Sequence, residues 1–167
     1  MSYYFGEDDK SSFLPQFKFG DKIDNNKFKE SLNIPFSVNY RYIQLDDTNY
    51  HFNQECFDNK DIRAYFKFMK LLSSTPFNSL LDNKKKDWHL NKSPYYQKNL
   101  KILIDATLSN GKSLRVECIP TFYHFALYTN KDSSEDTKVK SPRIYFFIGD
   151  NATIYPLFYD PYHKINP

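Results

Sequence analysis

The chain reads as an α+β domain: two helices packed on a curved, largely antiparallel sheet of about five or six strands, preceded by an irregular N-terminal arm over residues 1–33. Three observations carry that reading. Ile62, Tyr65, Phe66, Met69 and Leu72 recur at the spacing of one helix face. Phe36, Val38, Tyr40 and Tyr42 alternate with Ser37, Asn39 and Arg41, the period-two pattern of a strand with one buried face. Between Arg143 and Tyr159, two aromatic runs are separated by Gly149-Asp150-Asn151-Ala152, as two paired strands joined by a turn would be.

In chain order, the arm shows no sustained period. Phe13-Leu14-Pro15 and Phe17-Lys18-Phe19 are scattered among polar residues, with a short helix expected near Asn25–Leu32. A single domain then occupies residues 34–167. Its first strand is predicted over Phe36–Tyr42, with Arg41 on the wetter face. The strongest helix is predicted over Asp58–Ser73, with Asp58 or Asn59 as N-cap. Thr75-Pro76, a cap followed by proline at the first helical position, opens a shorter helix through Phe77, Leu80 and Leu81. Ser93-Pro94 reads as a further helix start. Lys101–Leu108 and Ser113–Ile119 flank Asn110-Gly111, the dipeptide most favoured in tight turns, and predict a β-hairpin. Residues 122–129 predict a strand and Lys131–Lys140 a charged, mobile loop. Arg143–Ile148 and Thr153–Tyr159 close the sheet, and the helices are expected on one of its faces.

Composition narrows the function classes. Rings make up 19% of the 167 residues, with 14 Tyr and 16 Phe, so the core must be built from aromatics and many hydroxyls must reach the surface. The formal charge of +3, from 23 basic and 20 acidic residues, is that of an ordinary solvated surface. Arginine, whose planar fork grips phosphate and carboxylate, occurs only at Arg41, Arg63, Arg115 and Arg143. Cys56 and Cys118 have neither the density of a disulfide scaffold nor a zinc spacing, which points to reduced thiols and a cytoplasmic location. Met1–Lys10 carries Glu7, Asp8 and Asp9 and no apolar run, so neither a signal peptide nor a membrane span is expected. Four glycines, with no phosphate-cradling motif among them, argue against a nucleotide cofactor, and no cofactor of any kind is expected. The four His and two Cys show no conventional ligand spacing, so no metal is expected.

The densest chemistry follows the last strand: Tyr159, Asp160, Tyr162, His163 and Lys164, with Arg143 on the neighbouring strand. An imidazole beside phenols and cations is the equipment for general acid–base cleavage of a phosphodiester. His163 would protonate the leaving oxygen, Tyr159 or Tyr162 would assist proton transfer, and Arg143 and Lys164 would stabilise the transition-state charge. The plainer alternative is that Asp160-Pro161 opens an ordinary terminal turn. His124, flanked by rings on a predicted strand, reads as a satisfied core or edge histidine. Lys84, Lys85, Lys86, Trp88 and Arg115 are candidate RNA-binding residues, the indole stacking on a base and the cations neutralising phosphates. A solvated loop anchored by one buried Trp is the plainer reading of that segment.

The tail, Pro142-Arg143-Ile144-Tyr145-Phe146-Phe147-Ile148 followed by Ile154-Tyr155-Pro156-Leu157-Phe158-Tyr159-Asp160-Pro161-Tyr162-His163-Lys164-Ile165, resembles the closing segment of a little-characterised group of small bacterial and mobile-element proteins. Their tails read approximately Arg-apolar strand, turn, Phe-Tyr strand, Trp-x-Asp-Pro-x-His-x-x-Tyr-Pro. Here Phe158 stands at the Trp position and Asn166 at that of the tail Tyr. More distantly, helix-helix-then-strands with a late Arg and a C-terminal His is similar to the RelE/ParE-like fold of small toxin ribonucleases and gyrase poisons. That resemblance implies cleavage of ribosome-bound mRNA, with Arg143 binding phosphate and His163 or Tyr162 transferring protons. The expected function is therefore a toxin- or phage-defence-type metal-independent endoribonuclease of bacterial or phage origin. Its expected partners are RNA or the ribosome and a cognate antitoxin or other protein, with no membrane. The alternative is a non-catalytic protein-binding module, such as an antitoxin, immunity protein or phage-encoded inhibitor, that docks through its Tyr/Phe-rich surface.

Overall fold

The structure, a computed structural model, describes residues 17–46, 48–82, 89–128 and 141–167. Helix α1 (Asn25–Ser31) is capped by Asp24, whose carboxylate accepts from the N–H groups of Asn26 and Lys27 at 3.0 and 3.1 Å. A short strand β1 (Ser37–Val38) leads through a loop to α2 (Asn59–Leu72). Asp58 caps α2 by accepting from the N–H groups of Lys60 and Asp61 at 2.8 and 3.1 Å. Then follow α3 (Phe77–Asp82), β2 (Asn91–Ser93), α4 (Lys98–Thr107), a 3-10 turn at Val116–Cys118, β3 (Thr121–Ala126), β4 (Arg143–Ile148) and β5 (Thr153–Asp160).

Among the described residues the strands form one open five-stranded sheet in the order β1-β5-β4-β3-β2. All neighbours are antiparallel except β1 and β5, which run parallel. Along β4 and β5 the register steps between Tyr145, opposite Phe158, and Phe146, opposite Pro156. Leu157 is the extra residue of this bulge, so Leu157 and Phe158 both point to one face. Proline in an inner strand supplies no ladder donor, and the bulge beside it accommodates that loss.

Both faces of the sheet are buried. On one, Phe36, Phe68, Leu72 and Phe77 pack on Phe125, Ile144, Phe146 and Ile154 beneath α2 and α3. On the other, Leu100 and Ile104 of α4 pack with Phe17 on Phe122, Phe147, Tyr155 and Phe158. Phe17 lies 6.0 Å from Phe147, ring to ring, and its carbonyl accepts the Tyr155 hydroxyl at 3.2 Å. The arm is thus part of the core from Phe17 onward.

The α+β class stands, with several elements corrected. Lys101–Leu108 is not the first strand of a hairpin but lies largely in α4, because Leu100 and Ile104, one helical turn apart, are both fully buried while Ile102 is exposed. Asn110 and Gly111 have φ of +50° and +74° and are spent on ending that helix, with the Gly111 N–H donating to the Asp105 carbonyl at 2.7 Å. Ser113–Ile119 is loop and 3-10 turn, not the second strand. With α4 in place, helices cover both faces instead of one. Ser93-Pro94 closes β2 instead of starting a helix, and Gln97 is the N-cap of α4. The strand expected over Phe36–Tyr42 is hydrogen-bonded as a strand only at Ser37–Val38. In α2 the buried stripe is Asp61, Tyr65, Phe68, Met69 and Leu72, which leaves Ile62 and Phe66 outside. The expected loop over Lys131–Lys140 lies outside the described residues.

Candidate functional site

Strand register assembles the site. Arg143 on β4 faces Asp160 on β5 and Ala126 on β3, and His124 on β3 faces Tyr145 on β4. Strand alternation from Phe122 and Phe147 then places His124, Arg143, Tyr145 and Asp160 on the α4 face of the sheet, at the end where β5 finishes. The His124 and Tyr145 rings are 5.2 Å apart.

Beyond β5 the chain turns back sharply. Asp160, fully buried, accepts from the Lys164 N–H through Oδ1 at 3.0 Å and from the Ile165 N–H through Oδ2 at 2.7 Å. Ile165 is buried in the α4-side core and pins the other end of the turn. Between these anchors His163 takes a φ of +54°, a left-handed conformation uncommon for a residue with a side chain, and its ring comes to 6.2 Å from that of His124.

The two imidazoles occupy different environments. His124 is 6% exposed, with Nδ1 2.6 Å from Ser93 Oγ on β2. Burial, then the charges of Arg143, His163 and His89, push its pKa down to about 4, so at neutral pH it is an uncharged ring. His163 is half-buried at the rim.

Arg143 is 9% exposed, and burial holds its pKa below the ordinary guanidinium value. Nη1 lies 3.4 Å from Ser141 Oγ, while Nε has no hydrogen-bond partner among the described residues. Among those residues no carboxylate comes within ion-pair distance of it. Asp160 acts on Arg143 through space, yet both of its oxygens are already engaged by backbone N–H groups. A nearly buried cation with an idle donor is costly unless an anion completes it. The arrangement therefore offers a guanidinium for an oxoanion, a neutral ring that can take a proton, and a second, half-buried imidazole. Tyr145 and Tyr50 line the same region, both phenol pKa values raised by burial and then by Asp160.

The sequence-derived candidates divide. His163 and Arg143 both act on His124, a structural histidine by its sequence pattern, and Ser93 and Tyr145, which carry no sequence signal, join them. Tyr162 is exposed beside His163, with Lys164 Nζ 5.3 Å from its ring centroid. Tyr159 points to the opposite face, where its hydroxyl donates to Asp61 Oδ2 at 2.7 Å and lies 3.1 Å from the Cys56 carbonyl. Arg115 pairs with Glu117 at 3.6 Å on the loop before Thr121, the end of β3 remote from Arg143. Lys84, Lys85, Lys86 and Trp88 lie outside the described residues. Among the described residues no three His, Cys, Asp or Glu side chains gather as a metal-ligand set, and no helix is long and apolar enough to cross a membrane.

Comparison with known proteins returns no matching family model, no matching curated protein and no matching solved structure.

Proposed function

We propose that the chain is a toxin- or phage-defence-type, metal-independent endoribonuclease acting on RNA in the cytoplasm. The observation that carries this reading is the approach of two imidazoles to 6.2 Å beside a nearly buried arginine whose Nε is unpaired. In this mechanism Arg143 holds the scissile phosphate. Neutral His124 takes the proton of the adjacent 2′-hydroxyl, whose oxygen attacks phosphorus. Protonated His163 gives its proton to the departing 5′-oxygen, leaving a 2′,3′-cyclic phosphate and a 5′-hydroxyl. The step balances without water or a further reactant. Phosphate bound at Arg143 raises the proton affinity of His124 and brings it towards the range where a general base works. Lys164, at the exposed rim, adds positive charge as negative charge builds on the phosphate oxygens.

The test is induced expression of the wild-type chain, His163→Ala and His124→Asn in a bacterial host, following growth and the integrity of total RNA. Arrest with RNA cleavage in the wild type alone is expected, and removal of either imidazole should slow cleavage by about 10²–10⁴-fold. Intact RNA and normal growth with the wild type would remove the enzyme reading.

One observation favours the second reading, a non-catalytic protein-binding module. Ile62 and Phe66, one turn apart on α2, are 37% and 58% exposed and form an apolar stripe on the outer side of the helix. A module of this kind would lose partner binding on Phe66→Ala and be indifferent to His163→Ala. Pull-down of the two variants separates these outcomes.

A further inference from the structure

Resting on the endoribonuclease reading, we propose that the site takes an unpaired RNA strand and excludes duplex, with Tyr162 as the stacking platform for a base next to the phosphate held by Arg143. Arg143 and His124 are both more than nine-tenths buried, Asp160 beneath the turn is fully buried, and only His163 opens towards solvent. In a duplex the phosphates ride on a stiff cylinder whose backbone cannot fold towards groups buried this deeply. An unpaired strand can rotate one phosphodiester inward and splay its bases outward.

The turn that delivers His163 also delivers Tyr162, which is 42% exposed on a segment pinned at both ends by Asp160 and Ile165. A held aromatic ring in water adjoining a phosphate site is the arrangement by which proteins bind single strands without reading sequence, since every base has a face to stack. Lys164 Nζ lies over one face of the Tyr162 ring, 5.3 Å from its centroid, so a base would stack on the other face with the ammonium placed to meet the neighbouring phosphate. Arg143 Nε, unpartnered among the described residues, supplies an independent sign that a ligand belongs beside it.

The experiment uses the full-length chain and a 2′-O-methyl oligoribonucleotide, which cannot be cleaved, offered alone and annealed to its complement. Inorganic phosphate is a second probe, read from the histidine ring resonances. The single strand should bind at least about 10-fold more tightly than the duplex. Tyr162→Ala should lose about 10-fold in single-strand affinity, Tyr162→Phe should keep it, and phosphate should perturb the histidine rings equally in both variants. Equal affinity for single strand and duplex, or a Tyr162→Ala variant that binds like wild type, would overturn this inference while phosphate binding left the enzyme reading standing. Binding of neither phosphate nor single strand would overturn both.

Discussion

His124 shows how one side chain ties the site to stability. It is uncharged in the fold because burial and neighbouring cations lower its pKa from 6.5 to about 4. The unfolded chain therefore binds one more proton than the native state between those values. The stability this ring contributes is complete above about pH 6.5 and is lost as pH falls towards 4, amounting to about 3 kcal/mol over the window. His124→Asn, whose amide can still meet Ser93, should flatten that acid limb in urea titrations run at successive pH values. An unchanged slope would mean that His124 is charged in the native state. Asp61 has the opposite sense. It is buried at the start of α2, with Oδ2 accepting from Tyr159 and the Tyr128 hydroxyl also engaging the carboxyl, and burial raises its pKa. A raised carboxyl contributes stability that is full below the unfolded value and is lost as pH rises through the folded one. Asp61→Asn keeps an acceptor for Tyr159 and removes the buried charge, so it should stabilise the protein at neutral pH by about 1 kcal/mol, with the gain shrinking in acid. Thermal melts at two pH values measure it.

At the scale of the element, α4 is the most informative. Its sequence, KNLKILIDAT, is apolar at Leu100, Ile102, Leu103 and Ile104 and satisfies a strand pattern as readily as a helical one. The fold resolves the ambiguity by burying Leu100 and Ile104 and leaving Ile102 57% exposed. Alanine substitutions read this directly. Leu100→Ala and Ile104→Ala should each cost about 2–5 kcal/mol, whereas Ile102→Ala should stay within about 0.5 kcal/mol in denaturant titrations. A strand would place residues 100, 102 and 104 on one face, and all three would then be costly. The turn after β5 is the second informative element. Asp160 gives both of its oxygens to the turn backbone, so the strand that ends the sheet also sets the position of His163.

Over the whole molecule, the site exists because the sheet is covered on both sides. Were the α4 face open to water, His124 and Arg143 would be solvated side chains with ordinary acidities. Covered, they become a neutral ring and an under-paired cation whose mutual field is stronger in the drier surroundings. The signal for that cover was present in the strands. RIYFFI and TIYPLFYD are buried at every position and lack the alternation of a half-wet sheet, a mark of strands packed on two faces. Element order alone, helix-helix-then-strands, leads to the one-sided expectation, and the unbroken burial of these strands is what contradicts it.

Local physics in the sequence determined the α+β class, the span and cap of α2, the proline-opened α3 and the two closing strands. Each depends on periodicity, caps or turn residues within a few positions of one another. The convergence of Arg143 and His163 at one strand end was legible too, because adjacent strands and the turn after them bring those residues close in any antiparallel pairing. Tertiary structure alone decided the rest. Asn110-Gly111 supplies left-handed backbone equally well to a hairpin or to the end of a helix, and only the packing of Leu100 and Ile104 on the sheet selects the helix. The side on which Tyr159 emerges, committed to Asp61, follows from the parity of a bulge that no local pattern announces. His124 enters the site through its register with Tyr145 and the fold-back of His163. Such pairings join residues far apart in the chain, and the free energy that selects them comes from burying both faces of the sheet at once.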